Sequence, residues 1–326
     1  MTENPDIHFV EYKGEKYYVE NDSLCLYGCD IKSISDITGL DKLRCLKKLD
    51  LRNNYIFEIE GLETLQNLEI LDLSGNQISK IDGLKDLGNL KELILGYNKI
   101  TKISNLDNLM NLKILNFGLN YIKEIEGLDN LINLEQLKFN DSGYGNEITE
   151  IKGLDHLKNL KWLDLRENMI REIKGLNNLF NLERLLLSGN QISEIKRLKN
   201  LINLKELDLL NNKISEIKGL ENLINLKILI LDSNNISVFK GLENLKKLEL
   251  LDISDNNLND IDGIENLKYL KHLRLDGNNI SEIPDLKSHI LLKEISLNHN
   301  PISEKELDRL GGRRYGKTVF IFTPYY

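Results

Sequence analysis

Apolar residues recur at fixed steps along this chain. Two leucines alternate with a polar residue, an asparagine follows three positions later, and then isoleucines and leucines come at every third position. The frame reads L-x-x-L-x-L-x-x-N-x-I-x-x-I-x-G-L and is clearest from Leu68 through Leu71, Leu73, Asn76, Ile78, Ile81 and Gly83. Alternation over L-x-L predicts a short strand with one buried face. Leu71 and Leu73 then point inward, while Ile70, Asp72 and Ser74 point outward. The three-residue step through Ile81, Leu84, Leu87 and Leu90 predicts a tight helical or 3₁₀-like return segment. Gly61, Gly83, Gly127, Gly153, Gly175, Gly219, Gly241 and Gly263 mark the corner before that return, with Asn105, Arg197 and Asp285 in the same slot elsewhere.

The frame repeats every 22 residues at Asn54, Asn76, Asn98, Asn120, Asn146, Asn168, Asn190, Asn212, Asn234, Asn256, Asn278 and Asn300, interrupted once, between Asn120 and Asn146. Cys29 holds the slot in a degenerate first copy, which makes thirteen copies. Such a period predicts a solenoid in which each unit buries its apolar side only against its neighbours. The expected fold is an α/β solenoid: a curved horseshoe of about 13 repeats, with a parallel sheet on the concave face and short returns on the convex face. The asparagine amide is placed to bond backbone groups of its own turn and of the next coil. We divide the chain into an N-terminal hairpin cap (1–22), the repeat array (23–302) and a C-terminal cap of helix plus strand (303–326), all one structural domain.

Two irregularities stand out. Cys29 and Asn54 are 25 apart, with the extra residues near Ser35-Asp36-Ile37, and Asn120 and Asn146 are 26 apart. The second insertion falls in 140–145 and is expected to project beside the concave face, carrying Tyr144 as a candidate edge-loop contact. Near the end, Ser303 and Glu306 form an S-x-x-E capping box for a short helix through Leu310, and 318–322 reads as a strand. Between them Gly311-Gly312-Arg313-Arg314-Tyr315-Gly316-Lys317-Thr318 matches the phosphate-loop pattern G-x-x-x-x-G-K-[ST] by letter. That loop needs a strand before it and a helix after it, and here the order is reversed. Gly311 and Gly312 are better explained as a helix C-cap, so no nucleotide or other cofactor is expected.

The repeat resembles the 22-residue class of leucine-rich repeat, shared by the leucine-rich regulatory subunit of protein phosphatase type one and by bacterial internalins. The resemblance covers about residues 23–302. It implies a curved solenoid used for protein–protein contact, and it carries no partner because the consensus residues are core residues. The C-terminal tail does not match the end cap of the phosphatase subunit.

Composition narrows the class. The net charge is −8, which opposes the basic stripe of a nucleic-acid binder. Cys25, Cys29 and Cys45 are the whole cysteine complement, too few and too clustered for a disulfide framework or zinc site. The start lacks a signal-peptide pattern and no apolar run approaches a membrane span. The expectation is a cytoplasmic, non-enzymatic protein that binds another protein, contacts neither nucleic acid nor membrane, and is a monomer in isolation. His8, His156, His272, His289 and His299 fall in unrelated frames and are expected as exposed polar residues, with no catalytic or metal site.

Candidate contacts are the outward positions two, four and six before each asparagine. Large apolar residues stand there at Ile94, Ile114, Trp162, Leu186, Leu210, Ile228, Ile230 and Leu250, and Trp162 is the only tryptophan. Aromatic anchors among polar residues commonly centre an interface. The slot four before asparagine is often acidic, as at Asp50, Asp72, Asp164, Asp208 and Asp252. Stacked like charges cost stability in a sheet, a cost that a basic partner relieves. Arg52, Lys138, Arg166, Arg184 and Arg274 interrupt the acid. The set assigned to the partner is Ile94, Ile114, Trp162, Asp164, Arg166, Leu186, Asp208, Leu210, Ile230, Asp232, Asp252 and Arg274.

Overall fold

The computed structural model describes residues 9–141 and 145–320, and the chain divides into two compact units, Met1–Asp164 and Leu165–Tyr326. In the first, an antiparallel hairpin of β1 (Phe9–Tyr12) and β2 (Glu15–Tyr18) precedes a parallel sheet of three-residue strands. These are β3 (Ser23–Cys25), β4 (Lys48–Asp50), β5 (Ile70–Asp72), β6 (Glu92–Ile94), β7 (Ile114–Asn116), β8 (Gln136–Lys138) and β9 (Trp162–Asp164). The second unit continues the pattern with parallel strands β10 (Arg184–Leu186), β11 (Glu206–Asp208), β12 (Ile228–Ile230), β13 (Leu250–Asp252), β14 (His272–Arg274) and β15 (Glu294–Ser296). Each unit is a solenoid of short parallel strands and tight returns with very little helix.

The core follows the period. Ile56, Ile59, Leu62, Leu65, Leu68, Leu71 and Leu73 are all buried, and the later copies bury the same positions, with His289 in place of a leucine in the last. Burial of each such side chain contributes about 1.5–3 kcal/mol before chain entropy is subtracted. The three-residue step of the returns comes from successive i to i+3 bonds, as in Leu65 N–H to Leu62 O at 3.0 Å and Leu68 N–H to Leu65 O at 2.9 Å. Regular 3₁₀ helices form only at Ile34–Asp36, Leu40–Lys42 and Ile264–Asn266 among the described residues. The corner favours a left-handed backbone: Gly83 has φ +71°, and a Cβ there would overlap the Ile59 carbonyl oxygen. Asn105 and Arg197 take the same conformation without glycine's freedom. Asp285, which follows Pro284, does not adopt it.

Asparagine closes each turn and ties it to its neighbour. Asn76 Nδ2 donates to Leu73 O at 2.9 Å and Ser74 O at 3.3 Å in its own turn, and to Leu51 O at 3.0 Å one coil back. Its Oδ1 accepts from Ile56 N–H at 3.0 Å. Asn190 repeats the arrangement in the second unit, with Leu165 O at 3.0 Å, Leu187 O at 3.0 Å and Ile170 N–H at 3.0 Å. Asn146 keeps the ladder after the four-residue insertion, reaching Phe139 O at 2.7 Å and Phe117 O at 2.9 Å. Cys29 keeps the bond within its own turn, its thiol donating to Tyr27 O at 3.6 Å. Its N–H bonds Asn54 Oδ1 at 3.0 Å.

A second asparagine column lies on the exposed returns. Asn67, Asn89, Asn111, Asn133 and Asn159 each donate to a carbonyl of the previous coil at 2.9 Å.

The irregular spacings have structural causes. The longer first return lets Thr38 exchange two backbone bonds with Glu11, at 2.9 and 3.0 Å, which docks the hairpin and buries Val10 and Tyr12. Asn140 and Asp141 lie back over Gly118, where a Cβ would come within 2.6 Å of Asp141 Cβ. Tyr144 falls outside the described residues. At the far end, Ser303 caps α1 (Glu304–Leu310) by accepting from Glu306 N–H, and Gly311 closes it at φ +69°. The phosphate-loop letters then form a hairpin of β16 (Arg313–Tyr315) and β17 (Thr318–Phe320), a geometry that offers no helix terminus to a phosphate. β17 pairs antiparallel with β15 and covers the sheet edge.

The ladder predicts unequal costs for two asparagines of the same copy. Asn76→Ala should cost roughly 3 kcal/mol in urea unfolding, because it leaves buried donors and acceptors unpaired, whereas the exposed Asn67→Ala should cost about 1 kcal/mol. Equal losses would mean that the inner ladder carries no special share.

Candidate functional site

The outward slots are where the sequence places them, on the open face of the parallel sheet, but their surroundings differ from expectation. In the first unit Trp162 is half-buried, and Lys138 Nζ sits over its ring at 4.1 Å from the centroid. Trp162 is therefore covered by a cation–π contact from the adjacent strand rather than standing as a bare anchor. Ile94 and Ile114 are half-buried on the same face, and Asp164 is only 1% exposed. Asp164 was assigned to the partner, and in the free chain it is withdrawn from contact.

The acidic column also has an internal role. Asp50, Asp72, Asp208 and Asp252 each accept the backbone N–H two residues ahead, at 3.0–3.2 Å, and Asn116 does the same at 2.8 Å. These bonds fix the strand exit as local side-chain-to-backbone turns do. Several acids have cations beside them as well, so the column is not a stack of bare like charges. Arg52 lies 2.6 Å from Asp50 and 3.6 Å from Asp72. Burial pushes the Asp50 carboxyl up, but the hydrogen bonds and charge of Arg52 outweigh it and hold the group below the usual aspartate value. The presence of Asn116 in the same slot was the sequence signal for this role, since asparagine shares the acceptor and not the charge.

The second unit carries the more unusual face. Along its central row β-pairing sets Leu186 beside Asp208, Asp208 beside Ile230, Ile230 beside Asp252, and Asp252 beside Arg274. Leu186 is 5% exposed and Asp208 and Asp252 are each 9% exposed. Leu186 is covered by its neighbours, while Asp208 and Asp252 keep only a small exposed fraction on the open side of the sheet, less than their outward slots lead one to expect. Leu210, Ile228, Ile230, Asp232 and Leu250 are half-buried, Arg166 is half-buried, and Arg274 is exposed.

Most charges on this face are matched. Arg184 bonds Glu206 at 2.6 Å, Arg274 lies 3.4 Å from Asp252, and the His272 ring is 3.1 Å from Glu294. Asp276 accepts from Ser296 Oγ at 2.6 Å and Asn298 N–H at 2.5 Å. Asp208 and Asp232 form no ion pair among the described residues. Burial is the main cause that pushes both carboxyls above the usual aspartate range. At Asp208 the Leu210 N–H, Ser188 and the charge of Arg166 oppose it only in part, and at Asp232 the nearby Asp252 and Asp255 add to it.

Among the described residues, no cluster of three or more His, Cys, Asp or Glu side chains is placed to hold a metal ion. No helix among them is long and apolar enough to cross a membrane. His289 is not exposed as expected: it fills a leucine slot of the last return, buried, with Nε2 2.9 Å from Ile264 O. Exposed tyrosines along the turn edge of the first unit (Tyr27, Tyr55, Tyr97 and Tyr121) were not singled out from the sequence. Tyr55, Tyr97 and Tyr121 sit beside ladder asparagines and Tyr27 lies two residues before Cys29, in columns that vary freely, which was the available signal.

Comparison with known proteins agrees with this architecture. The family model described as leucine-rich repeats (2 copies) matches residues 46–86, 88–130 and 180–222. No curated protein sequence matches significantly. Among solved structures, an internalin (InlF) from Listeria monocytogenes is 32% identical over 85% of this chain and 80% of its own, with a TM-score of 0.76. A leucine-rich repeat protein of Leptospira interrogans is 28% identical over 83% of this chain and 76% of its own, with a TM-score of 0.69. A chain from an octameric complex of latrophilin 3, Unc5D and the leucine-rich repeats of FLRT2 is 26% identical over 81% of this chain and 84% of its own, with a TM-score of 0.68. With its asparagine ladder, its parallel sheet and an internalin at this level of identity, the chain belongs to the leucine-rich repeat family and has repeats of the internalin type.

Proposed function

We propose that the protein is a non-enzymatic scaffold that binds another protein on the open sheet face of its second unit. The observation that carries this reading is the mixture at Asp208, Leu210, Ile230 and Asp232: aliphatic side chains in solvent-facing slots beside two aspartates without a cation. Leu186 and Ile230 occupy slots where other copies gain a turn-fixing bond from Asp or Asn, so these strands forgo that bond. Residues that lower stability without serving the fold are characteristic of binding surfaces. Leucine-rich repeat proteins generally act as protein-interaction scaffolds, which supports the class of activity.

A second reading, recognition at a cell surface, is favoured by the likeness to an internalin. The cytoplasmic reading is instead supported by three cysteines that remain free thiols. Regulation of a serine/threonine phosphatase rests on the repeat class alone. Accessibility of the native protein to protease added outside intact cells separates the first two.

Partner capture from native extract tests the surface. Leu210→Glu with Ile230→Glu should remove the partner recovered by the wild-type chain, while Ile224→Glu on the exposed return should leave it. An unchanged partner list for the double variant would refute the assignment.

The aspartates give a stability test with a defined sign. A raised carboxyl pKa means that the folded state holds the proton more tightly than the unfolded chain. The associated stability is present at low pH and lost as pH rises through the folded value. Asp208→Asn and Asp232→Asn should therefore raise Tm at pH 7, with the gain shrinking toward about pH 3, below the ordinary aspartate value. A fall in Tm at pH 7 would show that the ionised groups stabilise the fold.

A further inference from the structure

Asp208 and Leu210 lie on one coil, and Ile230 and Asp232 lie on the next. Pairing of Asp208 with Ile230, and the Asn211 N–H bond to Asp232 O at 2.9 Å, set the four as a checkerboard with aspartates on one diagonal and aliphatic residues on the other. Diagonal neighbours on one sheet face are about 7–8 Å apart. The two carboxylates thus flank a shared point above the sheet, and the two aliphatic side chains form the other sides of the same square.

We infer that this square receives an arginine side chain of the partner protein, held between the carboxylates of Asp208 and Asp232 with its methylene stem against Leu210 and Ile230. The inference rests on the proposed protein-binding role of this face. Charge complementarity selects the occupant. Glu206, Asp252 and Glu294 already have guanidinium or imidazole partners in Arg184, Arg274 and His272, whereas Asp208 and Asp232 have hydrogen bonds but no cation among the described residues. The field of Arg166 reaches Asp208 without forming an ion pair. Asp232 Oδ1 accepts the Ser233 hydroxyl at 2.9 Å. A small cation would leave the aliphatic corners wet. A guanidinium presents donors in a flat fork that reaches two acceptors at once, and its stem is apolar. An acidic or neutral segment would leave both partly buried carboxylates desolvated without compensation.

The probe is a random twelve-residue peptide library displayed on phage and selected against the full chain, with binders resynthesised and measured by calorimetry. Binders displaced by Leu210→Ser or Ile230→Ser should contain an arginine next to aliphatic residues. Their affinity should fall at least tenfold when that arginine is replaced by citrulline, and equally in the Asp208→Asn, Asp232→Asn double variant. Replacement by lysine should give a smaller loss. The double variant is expected to fold at least as well as the wild type, so lost binding reads the contact and not the scaffold. Peptides that need Leu210 and Ile230 but keep their affinity for the double variant would overturn the arginine assignment and leave the protein-binding reading intact. Selection of no peptide sensitive to Leu210 or Ile230 would count against both.

Discussion

The asparagine that bridges consecutive turns is the interaction on which the rest of the chain depends. A 22-residue coil is too short to satisfy its own backbone: the strand is three residues long and the return makes only tight i to i+3 bonds. Stacking hides the turn carbonyls from water, and an unpaired buried carbonyl costs about 1–3 kcal/mol. One amide answers this by donating within its own turn and one coil back, while its oxygen takes an N–H of the previous coil. The leucines and isoleucines can then fill the interior, with His289 in the last return as a polar exception.

That division of labour explains what the rest of the sequence is free to do. The core positions and the ladder are committed to stacking, the corner to a left-handed backbone, and much of the aspartate column to the strand exit. Residues outside these duties cluster in two places on the sheet. In the first unit they include Trp162 under Lys138 and the glycine at 118 that makes room for the insertion. In the second they form the square of aspartate and aliphatic side chains.

The fold was legible in the sequence because each of its causes repeats. Strand, turn, corner and return all leave a mark at the same offset in every copy, and the S-x-x-E box and the order of elements around the phosphate-loop letters were local enough to read. The site was legible only as a set of slots. Sequence spacing places Leu186 and Asp164 on the open face but cannot show how neighbours on the adjacent strands cover them. It also gave Asp50, Asp72 and Asp252 the appearance of repelling charges, since the N–H bonds that each accepts depend on turn geometry. His289 reads as a polar surface residue until the last return is seen to place it in a leucine column, where its ring nitrogen reaches a carbonyl of the coil before. The family likeness fixed the architecture and could not distinguish faces, because the residues shared with other repeats are those that build the coil.

The central claim is that partner contact is made by departures from the repeat on the open face of the second unit. The most direct measurement places a photo-crosslinking amino acid at Leu210 on that face, and separately at Ile224 on the exposed return of the same unit, in otherwise native protein. The account predicts a discrete adduct with a protein partner from position 210 and none from position 224. Adducts from position 224 with none from position 210 would contradict it.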